Sequence, residues 1–183
     1  VNRAASAFNT EKLLWINQHY IKQDDPARIA RLLSPHMGNL GIDPAEGPDL
    51  VEVVRQQQER AKTLVEMAEI SAFFNRDFDK FDQKATRKHL KAAAQEPLQQ
   101  VRDRLASLDE WDGEKLHQVV IYVAESLSLN MGKVAQPLRV AIVGRAASPG
   151  IDVTLELVGR EACLRRIDKA LAWINKRVEE NGS

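Results

Sequence analysis

The stretch Asp112-Gly113-Glu114-Lys115-Leu116-His117-Gln118-Val119-Val120-Ile121-Tyr122-Val123-Ala124-Glu125-Ser126-Leu127 decides the fold class. Leu116, Val119, Val120, Val123, Ala124 and Leu127 recur at the three- and four-residue spacing that lines one face of an α-helix. Asp112-Gly113-Glu114 in front of them is a helix start signal. A second stripe of the same kind is Leu164, Ile167, Leu171, Ile174 and Val178, following Gly159.

Working outward, the helical signals repeat along the chain. Leu13, Leu14, Ile16, Asn17 and Ile21 follow Asn9-Thr10. Asp25-Pro26 reads as N-cap and first helical residue of a segment carrying Ile29, Leu32 and Leu33. Gly47-Pro48 starts one with Leu50, Val53 and Val54. Thr63 stands near the start of one with Leu64, Met67, Ala68 and Phe73. Asp82 caps a helix through Ala94, and Pro97 opens one through Leu108. Arg139–Val143 and Asp152–Leu157 are rich in β-branched residues, but their helical flanks favour helix. The expected fold is all-α: two small helical subdomains with about nine or ten short helices and no internal repeat. Gly38 to Pro48, with three Gly and two Pro, reads as a loop, and Asn75 to Asp82 as a boundary. The expected organisation is a linker helix over 1–22, a first helical subdomain over 23–75 and a second over 76–183.

At 183 residues and 44% hydrophobic, the chain is long and apolar enough for a packed core, which excludes a disordered chain. One cysteine, Cys163, excludes a disulfide scaffold and suits a reducing, cytoplasmic setting. No apolar run approaches the roughly 20 residues of a membrane span. Val1-Asn2-Arg3-Ala4 lacks a signal-peptide pattern and begins without Met, which reads as a processed or excised chain. The formal net charge of zero hides segregation. Residues 43–82 hold five basic and ten acidic residues, net −5, whereas 131–177 hold nine basic and four acidic, net +5. Residues 84–104 hold six basic and two acidic, net +4. Basic clustering favours a polyanion partner; a solvated helical surface gives the same composition.

Candidates for catalysis are absent. His19, His36, His89 and His117 have no metal-ligand spacing, so no metal site is expected. Cys163, beside Leu164 on an apolar face, reads as a buried inert thiol. Phosphate loops, dinucleotide fingerprints and nucleophile elbows are missing. Trp15, Trp111 and Trp173 sit among apolar neighbours and read as core rather than as base-stacking platforms.

One stretch is more informative: Lys133-Val134-Ala135-Gln136-Pro137-Leu138-Arg139-Val140-Ala141-Ile142-Val143-Gly144-Arg145-Ala146-Ala147-Ser148-Pro149-Gly150-Ile151. It offers a Pro at a helix start, a Gly suited to a left-handed cap, and a Ser-Pro-Gly turn into another helix. Arg139 and Arg145 flank the turn. On spacing alone this is a helix–turn–helix corner with two surface arginines. The stretch nevertheless resembles the signature near the C-terminus of bacterial glutamyl-tRNA synthetases. Phe8-Asn9-Thr10-Glu11-Lys12-Leu13-Leu14-Trp15-Ile16-Asn17-Gln18-His19-Tyr20-Ile21 resembles the segment after the catalytic half of those enzymes. Leu157-Val158-Gly159-Arg160-Glu161 is a third match, and the three are collinear. Val143 stands where the family often carries Thr. The family's HxGH-like and KxSK-like ATP motifs are absent, so the resemblance is to the anticodon-binding part without the catalytic domain.

The resemblance implies an RNA-binding module for the anticodon loop of tRNA-Glu, monomeric and non-catalytic. It carries no cofactor itself; ATP and Mg belong to the parent ligase and its N-terminal catalytic domain. It places Arg60 at the reader of the last anticodon base, Arg139 at that of the first, and Ser148, Pro149, Gly150 and Ile151 at the accompanying turn. The chemistry suits this, because cytosine presents acceptors on its pairing edge and a guanidinium is a donor-only fork. Guanine would present donors to the same fork. Lys133, Arg145, Arg160, Arg165 and Arg166 are candidate phosphate contacts. The alternative from another class is a helical protein–protein interaction module without RNA binding.

Overall fold

The computed structural model describes residues 9–181, and every regular element among them is helical. Phe8, which opens the front match, lies outside the described residues. The chain divides into two compact units between Asn75 and Arg76.

The first unit holds α1 (Thr10–Gln23), α2 (Pro26–Asn39), α3 (Leu50–Gln57) and α4 (Leu64–Ser71), with short 3-10 turns at Pro44–Glu46 and Ala72–Phe74. Each of the four helices starts on a polar side chain that accepts from a first-turn N–H: Asn9, Asp25, Asp49 and Thr63. Ile21, Ile29, Leu33, Met37, Val54 and Met67 share one core. Two buried glutamines tie the helix ends to it. Gln58 Nε2 donates to the carbonyls of Ile21 and Asp24 at 2.9 and 3.0 Å, and Gln57 Nε2 to Ile70 at 3.2 Å. These carbonyls lie at or near helix C-termini, where backbone acceptors lack intrahelical partners.

The second unit holds α5 (Gln83–His89), α6 (Gln95–Ala106), α7 (Gly113–Ser126), α8 (Met131–Val143), α9 (Ile151–Val158) and α10 (Arg160–Asn181). The opening stripe is the buried face of α7: Leu116, Val120 and Val123 are fully buried. It packs on α6, α8 and α9, while α10 lies along α6, α8 and α9. Leu98, Leu105, Leu138, Ile142, Leu155, Ile167 and Ile174 complete the core. Arg102 holds Asp168 with a two-pronged bond, at 2.9 and 3.2 Å, and so links α6 to α10.

Several sequence expectations are corrected. Pro137 is not a helix start. Asn130 caps α8, and Pro137 sits buried in its interior, so core packing outweighs the backbone bond that proline forfeits. Pro97 is the third residue of α6, which starts at Gln95; the N–H it lacks has no intrahelical partner there. The helix from Asp82 ends at His89, because Leu90 leaves helical geometry (ψ 62°) and is buried. A 3-10 turn follows at Ala92–Ala94. Gly38 belongs to α2, Phe73 to a 3-10 turn, and Asp49 rather than Gly47-Pro48 sets the start of α3. Trp15 is not core: it is 66% exposed and stacks on His19 one turn on. Val178, last of the α10 stripe, is exposed.

Gly144 closes α8 in the left-handed region at φ 79°, and the Phe78 ring lies against it. A Cβ there would fall 2.8 Å from that ring. Gly144→Ala is therefore expected to cost more than about 1 kcal/mol in urea unfolding, from backbone strain and the clash together. Gly38→Ala, inside α2 with open space around it, should gain roughly 0.5–1 kcal/mol.

Candidate nucleic-acid interface

The turn after α8 is built before anything binds to it. Arg139, half-buried on α8, reaches across with Nη1. That nitrogen donates to the Ser148 carbonyl at 3.2 Å, Ser148 Oγ at 3.1 Å and the Pro149 carbonyl at 3.1 Å. Ser148 Oγ and Thr154 Oγ1 both donate to the Pro149 carbonyl, at 2.9 and 3.3 Å. Ser148, Pro149 and Ile151 are buried, while Gly150 is exposed at the tip. Gly150 is the N-cap of α9 without a capping side chain. A fixed turn thus presents backbone groups beside an exposed glycine. Thr154 was not singled out by sequence; it lies one helical turn beyond the signature, and only the fold carries it back to Ser148.

The candidate readers lie in different units. Arg60 sits in the turn after α3, not in a helix, and is exposed; its backbone N–H bonds the Gln57 carbonyl at 2.9 Å. Arg139, Ser148, Pro149, Gly150 and Ile151 are brought together in the second unit. Arg145 follows the Gly144 cap and is half-buried, and burial lowers the pKa of its guanidinium. Arg160 opens α10 with its guanidinium 5.4 Å from the Trp111 ring centre. Lys133 is exposed in the first turn of α8.

Arg165 and Arg166 part company. Both hold Asp77: Arg165 through Nε and Nη2 at 2.9 and 3.0 Å, Arg166 through Nε at 2.8 Å. Arg166 is only 3% exposed and also donates to the carbonyls of Ile142 and Arg76, at 2.8 and 3.0 Å. This corrects its assignment as a phosphate contact, because a buried guanidinium engaged on three sides cannot reach a phosphate. The Arg165 bonds first, with Arg166 adding, hold the Asp77 carboxyl at about 2 against an ordinary 3.8. Cys163 is fully buried, and burial pushes its thiol up to about 12, so it is no nucleophile at neutral pH. Among the described residues, no group of three or more His, Cys, Asp or Glu could hold a metal ion. Nor is any helix long and apolar enough to cross a membrane.

Comparison with known proteins decides the family. The model of the anticodon binding domain family matches residues 28–171. The chain belongs to that family. Among curated relatives, glutamate–tRNA ligase 1 of Nitrosococcus oceani is 55% identical over 97% of this chain. Its counterpart in Alkalilimnicola ehrlichii is 52% identical over the same share. The chain spans 38% of the length of each. Among solved structures, a glutamate tRNA ligase from Elizabethkingia meningosepticum matches 90% of this chain with a TM-score of 0.80 and 26% identity, over 32% of its own length. The glutamate–tRNA synthetase of Elizabethkingia anophelis matches the same shares with a TM-score of 0.76, also at 26% identity. The anticodon-binding domain is thus all-helical, as the apolar stripes imply.

Two outcomes follow. Asp77→Asn is expected to cost about 2 kcal/mol at neutral pH, because Arg166 loses its charged partner. A depressed carboxyl contributes stability above its ordinary pKa and loses it as pH falls from about 4 through about 2. Since Asp77 is 45% exposed, screening holds that pH-dependent share to about 1 kcal/mol. Urea unfolding should show the gap between wild type and Asp77→Asn narrowing toward pH 2; a gap equal at pH 2 and 7 refutes this account. Cys163 should resist a thiol reagent in the folded chain and react promptly once denaturant is added.

Proposed function

We propose that this chain is the anticodon-reading part of a glutamate–tRNA ligase, and that its partner is the anticodon loop of tRNA-Glu. The observation that carries the reading is the Arg139-braced turn over Ser148–Ile151. A preformed, exposed backbone corner in a domain of this family suits the unpaired bases of an RNA loop, where sequence can be read. The names of the relatives supply glutamate as the amino acid. In this reading the remaining length of those relatives holds the catalytic domain, which uses ATP and Mg to join glutamate to tRNA. Residues 1–22 connect to that domain, and 23–75 and 76–183 are the two anticodon-binding subdomains. The enzyme works as a monomer in the cytoplasm, where translation proceeds.

Arg60 reads the last anticodon base. Its exposed guanidinium has no hydrogen-bonding or ionic partner among the described residues, so its donors face solvent. A cytosine offers that fork two acceptors, O2 and N3. A guanine offers N1–H and an amino group, and the donor–donor conflict should cost on the order of 1–3 kcal/mol. A ligase with this arginine rejects tRNA-Gln, whose anticodon ends in G. In the second unit Lys133, Arg145 and Arg160 supply phosphate contacts, whereas both prongs of Arg165 are held by Asp77.

The test is a titration of the chain with anticodon stem-loops ending in C and in G. Wild type should prefer the C-ending loop by roughly 5- to 150-fold, the ratio that this energy gives. Arg60→Gln should reduce that preference while changing stability by less than about 0.5 kcal/mol, since the residue is exposed. An unchanged preference in Arg60→Gln refutes the assignment.

A further inference from the structure

The second unit carries a basic groove that neither the signature turn nor the core explains. It runs between α5 and α10 as two adjoining cavities of about 630 and 450 Å³, which share Thr86, Arg87, Trp173 and Arg177. Six cations line it: Lys80, Arg87, Lys91, Lys169, Lys176 and Arg177. Asp79 is its only acidic lining residue among those described. On α10, Lys169, Trp173, Lys176 and Arg177 share a face at helical spacing. That face spans roughly 12 Å at 1.5 Å per residue. The apolar stripe of α10 lies on another face, which is why the hydrophobic period did not reveal this one.

How these cations are held sets them apart from the carboxylate-paired arginines of the unit. Arg102, Arg165 and Arg166 are fixed by carboxylates, which cancel their charge. Lys169 and Arg177 are instead fixed by neutral groups. Lys169 Nζ donates to the Phe78 carbonyl at 2.9 Å and lies 4.9 and 5.7 Å from the ring centres of Phe78 and Phe81. The Arg177 guanidinium lies 4.8 Å from the Trp173 ring centre. An aromatic face orients a cation without neutralising it. Lys80, Arg87 and Lys91 have no carboxylate within 4 Å among the described residues, and Lys176 has only the exposed Glu180 at 3.9 Å. The groove therefore holds uncancelled positive charge against a half-buried aromatic floor. Clustered charge of one sign attracts a polyanion.

The floor also connects to the turn. Phe81 meets Phe78 and Trp173 edge to face, at 5.2 and 6.1 Å between ring centres, and Phe78 lies against Gly144, where α8 ends and the signature turn begins. We infer that the groove between α5 and α10 binds the sugar–phosphate backbone of the RNA whose loop meets the turn. This inference rests on the anticodon-reading proposal for its choice of RNA over other polyanions. The groove carries sequence-independent affinity, and the turn and Arg60 carry the sequence preference.

The test uses the whole 183-residue chain and the triple variant Lys80→Gln, Arg87→Gln, Lys176→Gln. All three side chains are exposed, and circular dichroism melting should be unchanged. Both proteins are titrated with C-ending and G-ending stem-loops, and with inorganic polyphosphate, over a range of salt. With about 0.7 released counterions per phosphate contact, three lost contacts should lower the slope of log K against log salt by about 2. At ~0.1 M salt that is about a hundredfold loss on both stem-loops, with the C-over-G ratio unchanged. Unchanged affinity and slope overturn the groove even if wild type still prefers C. A reduced slope in a protein whose wild type shows no C-over-G preference upholds the groove and defeats the anticodon assignment. Polyphosphate binding as tight as RNA overturns the RNA assignment of the groove. Arg177→Glu gives a second reading, expected to weaken both stem-loops at least as much as a single neutralisation.

Discussion

A buried guanidinium organises the second unit. Arg166, on α10, donates to the Asp77 carboxylate, to the Arg76 carbonyl and to the Ile142 carbonyl near the end of α8. A cation near a helix C-terminus meets the negative end of the macrodipole and a backbone acceptor without an intrahelical partner. The same bonds place the 76–78 segment, and so the Phe78 ring, against Gly144. The Asp82 N–H then bonds the Gly144 carbonyl at 2.7 Å, which closes the corner. Everything proposed to meet RNA in this unit starts there: the turn on one side, the aromatic floor of the groove on the other.

The turn itself illustrates preorganisation. Arg139 Nη1 spends its donors on Ser148 and Pro149, and Thr154 meets the same acceptors from α9. The loop is held before any ligand arrives, so binding need not order it. Arg139 thus braces the surface as well as standing beside it. Arg60 differs: its backbone is bonded to buried Gln57 in the turn after α3, while its side chain is exposed to water.

Charge carries a related lesson. The chain is neutral in total, yet its cations divide by partner. Carboxylate-paired arginines hold the unit together: Arg102 with Asp168 joins α6 to α10, and Arg165 and Arg166 with Asp77 tie the 76–78 segment to α10. Lys169 and Arg177, seated on rings with no carboxylate partner among the described residues, keep their charge. A net charge, or even a segmental one, cannot separate these two populations, because pairing is a property of the fold.

The apolar period by itself determined the helical class, the buried faces of α7 and α10, and most helix starts, because each rests on contacts within a few residues. Asp25, Thr63, Asp82 and Asp112 each cap the helix that follows them. The left-handed Gly144 was equally legible, since only glycine takes that geometry without strain. Tertiary structure decided the rest. Pro137 reads as a helix start until burial in the core is weighed. Trp15 reads as core until its helix is found to present it to water. Arg165 and Arg166 are adjacent and alike in sequence; roughly 100° of helical rotation separates an exposed side chain from a buried one. Which of the two meets solvent depends on where α8 lies, and no local pattern encodes that.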